Sequence, residues 1–302
     1  MEIFYGDILK ELRNIDYTGN GMGVAVFDSG VYEHIDLYNR IVASVDCTGD
    51  KVSFDRYLYD VYGHGTHIAG IIAGGGYGCN GRFRGIAPEA DIISVRILDK
   101  KGKGNIKNVI KGVKWIIENK ERYNIAVANF SIGSAMELDD EQKKMQFHFA
   151  VKDLVDSGII VVAAAGNNGP GDGTITMPGI FREVITVGSS DDNVPILVDG
   201  RKGVVKNYSG RGNENYLYFK PDITAPGSNI PSCRNSGTGY VIKSGTSMSA
   251  AILSGIITLY LEIHGKCSQE YIRERLCHTA YDGGRPKNVQ GCGIVNVSKF
   301  LH

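Results

Sequence analysis

Most of the features that would commit a chain of 302 residues to a particular partner or compartment are missing here. There is no excess charge, since Lys+Arg and Asp+Glu both number 33, so no net field draws the protein to nucleic acid, an anionic membrane or an acidic substrate. The N-terminus, Met1-Glu2-Ile3-Phe4-Tyr5-Gly6-Asp7, lacks the basic and apolar regions of a secretory signal, and no apolar run reads as approaching transmembrane length. Nucleic acid and membrane are therefore not expected as partners. The expected compartment is the cytoplasm, with export by another route left open and the oligomeric state unread. Six cysteines (Cys47, Cys79, Cys233, Cys267, Cys277, Cys292) form no CxxC pair, and in a reducing compartment they are expected as free thiols, mostly buried. Internal repeats, low-complexity tracts and linkers are also missing. With 42% hydrophobic residues the chain can bury a large core, so residues 1–302 read as one domain.

What is present is an alternation of short apolar runs and amphipathic stretches. Gly23-Val24-Ala25-Val26-Phe27 reads as a buried strand delivering Asp28 to its tip, and His64 to Ala73 reads as a helix opened by Gly63 and Gly65. Asp91 to Leu98 reads as a strand, followed by a helix over Asn105 to Glu121 with Ile106, Val109, Ile110, Val113 and Ile117 on one face. A strand over Ile125 to Phe130 ends at Ser131-Ile132-Gly133, and a helix is predicted from Asp139 to Ser157. A further strand, Ile159 to Ala165, runs into Gly166-Asn167-Asn168-Gly169-Pro170, and Glu183 to Gly188 reads as another. Between Asp191 and Gly239 the composition predicts loops and short antiparallel pieces, with a last ordered helix from Ser268 to His278. Continuous apolar strands separated by helices predict an α/β fold, a doubly wound parallel sheet with helices on both faces, whose ligands sit at the carboxyl ends of the strands.

Gly245-Thr246-Ser247-Met248-Ser249-Ala250-Ala251 leads directly into the apolar run Ile252 to Leu261. A glycine lets the chain turn tightly into such a helix, and a serine in its first turn sits beside free backbone N–H groups and the positive end of the dipole. That suits a nucleophile attacking a carbonyl, because negative charge develops on the carbonyl oxygen. The same hydroxyls would also serve as helix caps. Asp28 by itself is equally readable as a turn residue, and His64 as a capping or core histidine.

The local sequences around the three residues decide between these readings. Val24-Ala25-Val26-Phe27-Asp28-Ser29-Gly30-Val31, then Gly63-His64-Gly65-Thr66-His67-Ile68-Ala69-Gly70, then Gly245-Thr246-Ser247-Met248-Ser249 resemble, in that order, the three active-site blocks of the subtilisin-like serine proteases. Between them, Arg84-Gly85-Ile86-Ala87-Pro88, Ser131-Ile132-Gly133, Ala164-Ala165-Gly166-Asn167-Asn168-Gly169-Pro170 and Lys220-Pro221-Asp222-Ile223-Thr224-Ala225-Pro226-Gly227 extend the resemblance over nearly the whole chain. It is strongest to the intracellular, AprX-like branch.

The resemblance implies a serine endopeptidase in which Asp28 orients the base, His64 is the general base and acid, Ser247 is the nucleophile and Asn167 donates to the oxyanion. It implies a protein or peptide substrate bound as an extended strand between Ser131-Ile132-Gly133 and Lys101-Gly102-Lys103-Gly104, with Gly102 and Gly104 on one side. The specificity pocket is expected from Ala164-Ala165-Gly166, with Thr176 at its floor, favouring uncharged P1 residues of medium size. The alternative is a catalytically impaired pseudoprotease or peptide-binding module on the same fold. An α/β-hydrolase esterase is excluded, because the nucleophile is not in G-x-S-x-G and His precedes Ser.

The chain departs from the family pattern in three places. Ala251 stands where the family usually has Pro. Gly74-Gly75-Gly76-Tyr77-Gly78-Cys79-Asn80-Gly81 lacks the longer Asn-rich loop that wraps a tight calcium site in secreted members, and Asp36 alone cannot make that site. No cofactor is therefore expected to be required, with calcium left open. Twenty-seven residues precede Asp28, so a propeptide of the secreted type is not expected.

Overall fold

β1, Gly23–Asp28, is buried at every residue, which is why its sequence is an unbroken apolar run rather than an alternating one. Its two faces serve two cores. Val24 and Val26 pack with one cluster, and Ala25 and Phe27 with the other, as the period of two in a strand dictates. Phe27 stacks on Phe130 of the adjacent strand with ring centroids 4.3 Å apart. The computed structural model describes residues 3–54, 59–132, 140–198, 201–203, 205–213 and 218–302.

The sheet around β1 contains β2 (Ile41–Asp46), β3 (Ser53–Phe54), β4 (Asp91–Arg96), β5 (Ile125–Phe130), β6 (Ile160–Ala164), β7 (Ile185–Ser189) and β10 (Ile223–Ala225). The eight strands lie in the order β10-β7-β6-β5-β1-β4-β2-β3, parallel throughout except for β2 with β3. Two hairpins stand apart from it, β8 (Leu197–Val198) with β9 (Arg201–Lys202), and β11 (Ile230–Cys233) with β12 (Tyr240–Lys243).

α1 (Tyr5–Leu12), α2 (His64–Ala73), α5 (Thr246–His264), α6 (Gln269–Thr279) and α8 (Val297–Leu301) contribute to the core on one face, and α3 (Ile106–Asn119) and α4 (Glu141–Asp156) to the core on the other. α7 (Lys287–Gln290) is a single turn. This is the doubly wound α/β arrangement that the sequence predicts. α5 is buried from Thr246 to Leu261, so it is apolar all round instead of striped. It corrects the expectation about apolar runs: α5 is long and apolar enough to cross a membrane, but 89% of its apolar window is buried inside the fold.

Several element readings need correction. In α3 the buried face is Ile106, Val109, Val113 and Ile116, while Ile110 is 38% exposed, because spacings of three and four from Val109 and Val113 meet at 116. The expected α4 start at Asp139 lies outside the described residues; Asp140 caps the helix by accepting the Lys143 N–H at 2.7 Å. The Gly- and Pro-rich region beyond Asp191 supplies β10, a parallel strand of the main sheet too short to show a period. α6 begins after the expected Ser268 cap, but α7 and α8 follow it.

Four cysteines are free thiols, whereas Cys277 and Cys292 form a disulfide with Cα atoms 5.0 Å apart. The sequence hides this pair because its partners sit on α6 and in the turn after α7. Closing a loop of this size stabilises the fold by about 3 kcal/mol in the chain-entropy picture.

Candidate active site

Three strands deliver the polar groups of one cleft at their carboxyl ends. Asp28 closes β1, Ser131 follows β5, and Asn167 follows β6. Across from them, α2 opens with His64 and α5 places Ser247 in its first turn. The cleft has a volume of about 210 Å³, and His64, Ser247, Asn167 and Ser131 all line it.

Asp28 is fully buried and holds His64 Nδ1 with both oxygens, at 2.9 and 2.8 Å. A carboxylate only accepts, so Nδ1 carries the proton and the lone pair of Nε2 is left for the cleft. The Ser29 N–H also donates to Asp28 Oδ1 at 2.7 Å. The close approach of α2 to the tip of β1 requires Gly65, whose Cβ would lie 2.1 Å from Gly30 O and 3.1 Å from Asp28 Cβ.

Asp60 is a buried residue the sequence reading missed. Its carboxylate accepts from Gly63 N–H at 2.8 Å, Thr66 N–H at 2.9 Å, Thr66 Oγ1 at 2.5 Å and Ser29 Oγ at 2.8 Å. It thus caps α2 from outside the helix and fixes the angle at which His64 enters the cleft. An acid three residues ahead of a helix-opening glycine was the available signal.

The block His64-Gly65-Thr66-His67 offers two histidines, and their surroundings separate them. His67 is buried, with Nε2 at 3.1 Å from both Ile230 O and Val241 O, tying α2 to the β11–β12 hairpin. Burial, with lesser contributions from Lys243 and His64, pushes its pKa down to about 3, so it stays neutral at ordinary pH.

Ser247 is nearly buried. Its Oγ donates to Ser131 O at 3.3 Å, and Ser131 Oγ donates back to Ser247 O at 3.2 Å. The hydroxyl is therefore turned toward Ser131 in this resting geometry, by a long bond that a rotation about χ1 releases. Gly245 precedes the helix at φ 153° and ψ 161°, a region essentially restricted to glycine, and a Cβ there would lie 3.2 Å from Asn167 Nδ2.

Asn167 is fixed by its oxygen. Oδ1 accepts from Thr246 N–H at 3.0 Å and Thr246 Oγ1 at 3.2 Å, and Gly166 N–H donates to Thr246 Oγ1 at 3.0 Å. That assigns Nδ2 as the outward group, with no partner among the described residues. The bond to the Thr246 N–H seats Asn167 against the first turn of α5, whose next N–H, that of Ser247, has no partner within the helix.

The other expected site residues divide. Gly102, Ser131, Ile132 and Gly166 line the cleft, whereas Gly104, Ala165 and Thr176 do not, and Gly133 lies outside the described residues. Ala164 and Gly166 line the cleft, whereas Ala165, buried just past the end of β6, does not, and its N–H donates to Val187 O at 2.9 Å. Thr176 instead packs behind Gly166, where a Cβ on that glycine would lie 2.5 Å from Thr176 Oγ1. The segment after Leu98 is a tight turn that brings Gly104 back to pair with Leu98, with Gly102 and Gly104 buried and Lys101 and Lys103 exposed, and Asp99 accepts from the Lys101 and Lys103 N–H groups.

Asp36 does not stand in an oxygen cage. It accepts from Gly78 N–H at 2.8 Å and Tyr240 OH at 2.7 Å, beside His34 and Cys233. His34 uses Nε2 on Gly239 O and Nδ1 on Asp36 N–H. Calcium needs six to eight oxygens, so this donor set does not fit it.

Residues 19–294 match the subtilase family of peptidases (S8), and the chain belongs to that family; it is a serine endopeptidase. Serine protease AprX of Bacillus subtilis (strain 168) is 38% identical over 94% of this chain and 67% of its own length. The intracellular serine protease of Paenibacillus polymyxa is 34% identical over 81% of this chain and 68% of its own. The chain thus spans about two thirds of these relatives. Among solved structures, Sphericase superposes with a TM-score of 0.81 at 26% identity, covering 98% of this chain and 99% of its own.

Proposed function

We propose that this peptidase cleaves peptide bonds through an acyl-enzyme on Ser247. Ser247 Oγ attacks the scissile carbonyl while His64 Nε2 takes its proton, and Asp28 holds Nδ1–H and stabilises the imidazolium that forms. The carbonyl oxygen, now negative, is received by Asn167 Nδ2 and the Ser247 N–H. His64 returns the proton to the departing amine, and a water molecule, deprotonated in the same way, hydrolyses the ester and restores Ser247. The reading draws every group from the chain and calls for no bound metal. The observation that carries it is the shared cleft, in which the Asp28–His64 pair, a serine hydroxyl and an Asn amide aimed by its own oxygen meet.

One observation favours the impaired, peptide-binding alternative: the bond from Ser247 Oγ to Ser131 O instead of to His64. A fluorophosphonate probe decides between the two. Covalent labelling mapped to the peptide containing Ser247 is expected, and a folded protein that takes no label would establish the binding module.

Asn167→Ala is expected to reduce kcat by about 10²–10³ with KM nearly unchanged, because Nδ2 acts on charge present only in the transition state. A rise in KM at constant kcat would instead make Asn167 a ground-state binding residue.

The substrate is proposed to lie extended between the Gly102 segment and Ser131-Ile132. With Thr176 filling the space behind Gly166, and no acidic side chain among the described residues that line the cleft, P1 residues such as Leu, Met or Ala should outrank Phe, Tyr and Arg. Peptide-library profiling checks this, and a dominant basic or aromatic P1 overturns it.

A further inference from the structure

Lys243 is a charge in the cleft that the reaction above does not use. It ends β12, lies four residues before Ser247 and lines the same cleft as His64 and Tyr62. It is half-buried, and its ammonium has no hydrogen-bond or ion-pair partner among the described residues. A lysine partly withdrawn from water without a partner loses hydration and gains nothing in return, unless an anion comes to it.

Its position relative to Ser247 is set by the hairpin it ends, which α2 holds through His67 Nε2 at 3.1 Å from Val241 O, two residues before Lys243. Asp28 and Asp60 both favour its charged form, against burial, and Lys243 in turn helps suppress the charge on His67. All three belong to the tip of β1, to α2 and to the turn that leads into α2, whereas Asn167 follows β6, beyond β5. The two carboxylates cannot serve Lys243 as close partners, because both are buried and already saturated. Asp28 holds His64 and the Ser29 N–H, and Asp60 holds Gly63, Thr66 and Ser29.

A bound peptide has its scissile oxygen at Asn167 and its departing nitrogen at His64 Nε2. The residue after the cleaved bond therefore emerges on the His64 side of Ser247, where the Tyr62 ring lies 6.4 Å from that of His64 and Lys243 lines the same cleft. We infer that Lys243 selects substrates carrying Asp or Glu at this first position beyond the cleaved bond, P1′, by pairing its ammonium with the side-chain carboxylate. This rests on the roles proposed for Ser247, His64 and Asn167, which fix the direction of the peptide. No net charge of the molecule contributes to the preference, so it is a local property of one side chain.

The test uses fluorogenic peptides identical except for Glu, Gln or Lys at P1′. For the unaltered protein, kcat/KM is expected to be about tenfold higher for Glu than for Gln, the size of a partly exposed ion pair expressed as a rate ratio, and lower again for Lys. The advantage should shrink as salt is raised. In Lys243→Gln the Glu/Gln ratio should fall to about one, and in Lys243→Glu the order should invert in favour of Lys. Each ratio is taken within one preparation, so loss of folded protein cancels. A second arm measures Kd of the uncleaved peptides for Ser247→Ala, with and without Lys243→Gln, and the same ratio is expected there. Equal rates for Glu and Gln in the active protein, or a preference that survives Lys243→Gln, overturns the assignment to Lys243. Absence of both cleavage and fluorophosphonate labelling would instead remove the role given to Ser247, and the Kd arm would still read Lys243.

Discussion

Ser247→Ala is expected to lower turnover by a factor on the order of 10⁶ and to abolish fluorophosphonate labelling. The loss is that large because the acyl-enzyme has no other atom to form on, and it matches the effect of removing the nucleophile in subtilisin. It corresponds to about 8 kcal/mol of transition-state stabilisation. The residual rate would come from Asn167, the Ser247 N–H and substrate positioning, none of which the substitution touches. Folding should be little affected. The hydroxyl makes one long bond, to Ser131 O at 3.3 Å, while the return bond from Ser131 Oγ to the backbone of residue 247 remains. The checks are steady-state kinetics on a peptide substrate, with a thermal melt to confirm folding. More than about a tenth of the original rate would reject Ser247, since that loss is only ~1.4 kcal/mol.

The parts of the site that could be read from sequence are those fixed by local backbone. Asp28 at the end of an apolar run, His64 behind a glycine and Ser247 after Gly245 each follow from a strand tip or a helix start, and a sequence displays those. Asp60, Ser29 and Lys243 were not legible as site residues. Their roles depend on which elements the fold brings against α2, and the β11–β12 hairpin that carries Lys243 is joined to α2 through His67 across 163 and 174 residues. The wall of the cleft shows the same limit more finely. Ala164-Ala165-Gly166 was readable as a segment, but which of the three line the cleft depends on how the chain leaves β6 beside β7, where Ala165 gives its N–H to Val187 O and stays out of the lining.

The fold followed the same rule. β1, β5 and β6 were legible because burial on both faces leaves a continuous apolar run, and α3 because its periodicity spans several turns. β10, of three residues, has no period of its own and is a strand only because β7 lies beside it. The Cys277–Cys292 disulfide was illegible for a related reason, since pairing depends on how α6 folds back over the turn after α7.

Asp28→Asn is expected to cost about 10⁴ in kcat while leaving KM close to its original value. Asp28 is fully buried and never meets substrate, so its contribution reaches the reaction only through His64. An Asn at this position has one accepting end. The Ser29 N–H at 2.7 Å demands an acceptor at Oδ1, which leaves the amide NH₂ where Oδ2 now stands, 2.8 Å from His64 Nδ1. Oδ1, 2.9 Å from Nδ1, already accepts from the Ser29 N–H and Oγ, so Nδ1 turns to the nearer amide donor as its acceptor and the proton moves to Nε2, and the imidazole presents N–H to Ser247 instead of a lone pair. The base is then present in the right place in the wrong tautomer, and it also loses the negative charge that stabilises the imidazolium. Burst and steady-state kinetics measured together separate this effect from a folding defect, because the acylation rate should fall while the fraction of protein that eventually labels stays near one. The Asp60 network does not involve the altered oxygen and should keep α2 in place, which the thermal melt reports. A loss smaller than about tenfold, or a rise in KM that accounts for the whole effect, would mean that Asp28 serves to hold the tip of β1 and that His64 is oriented by something else.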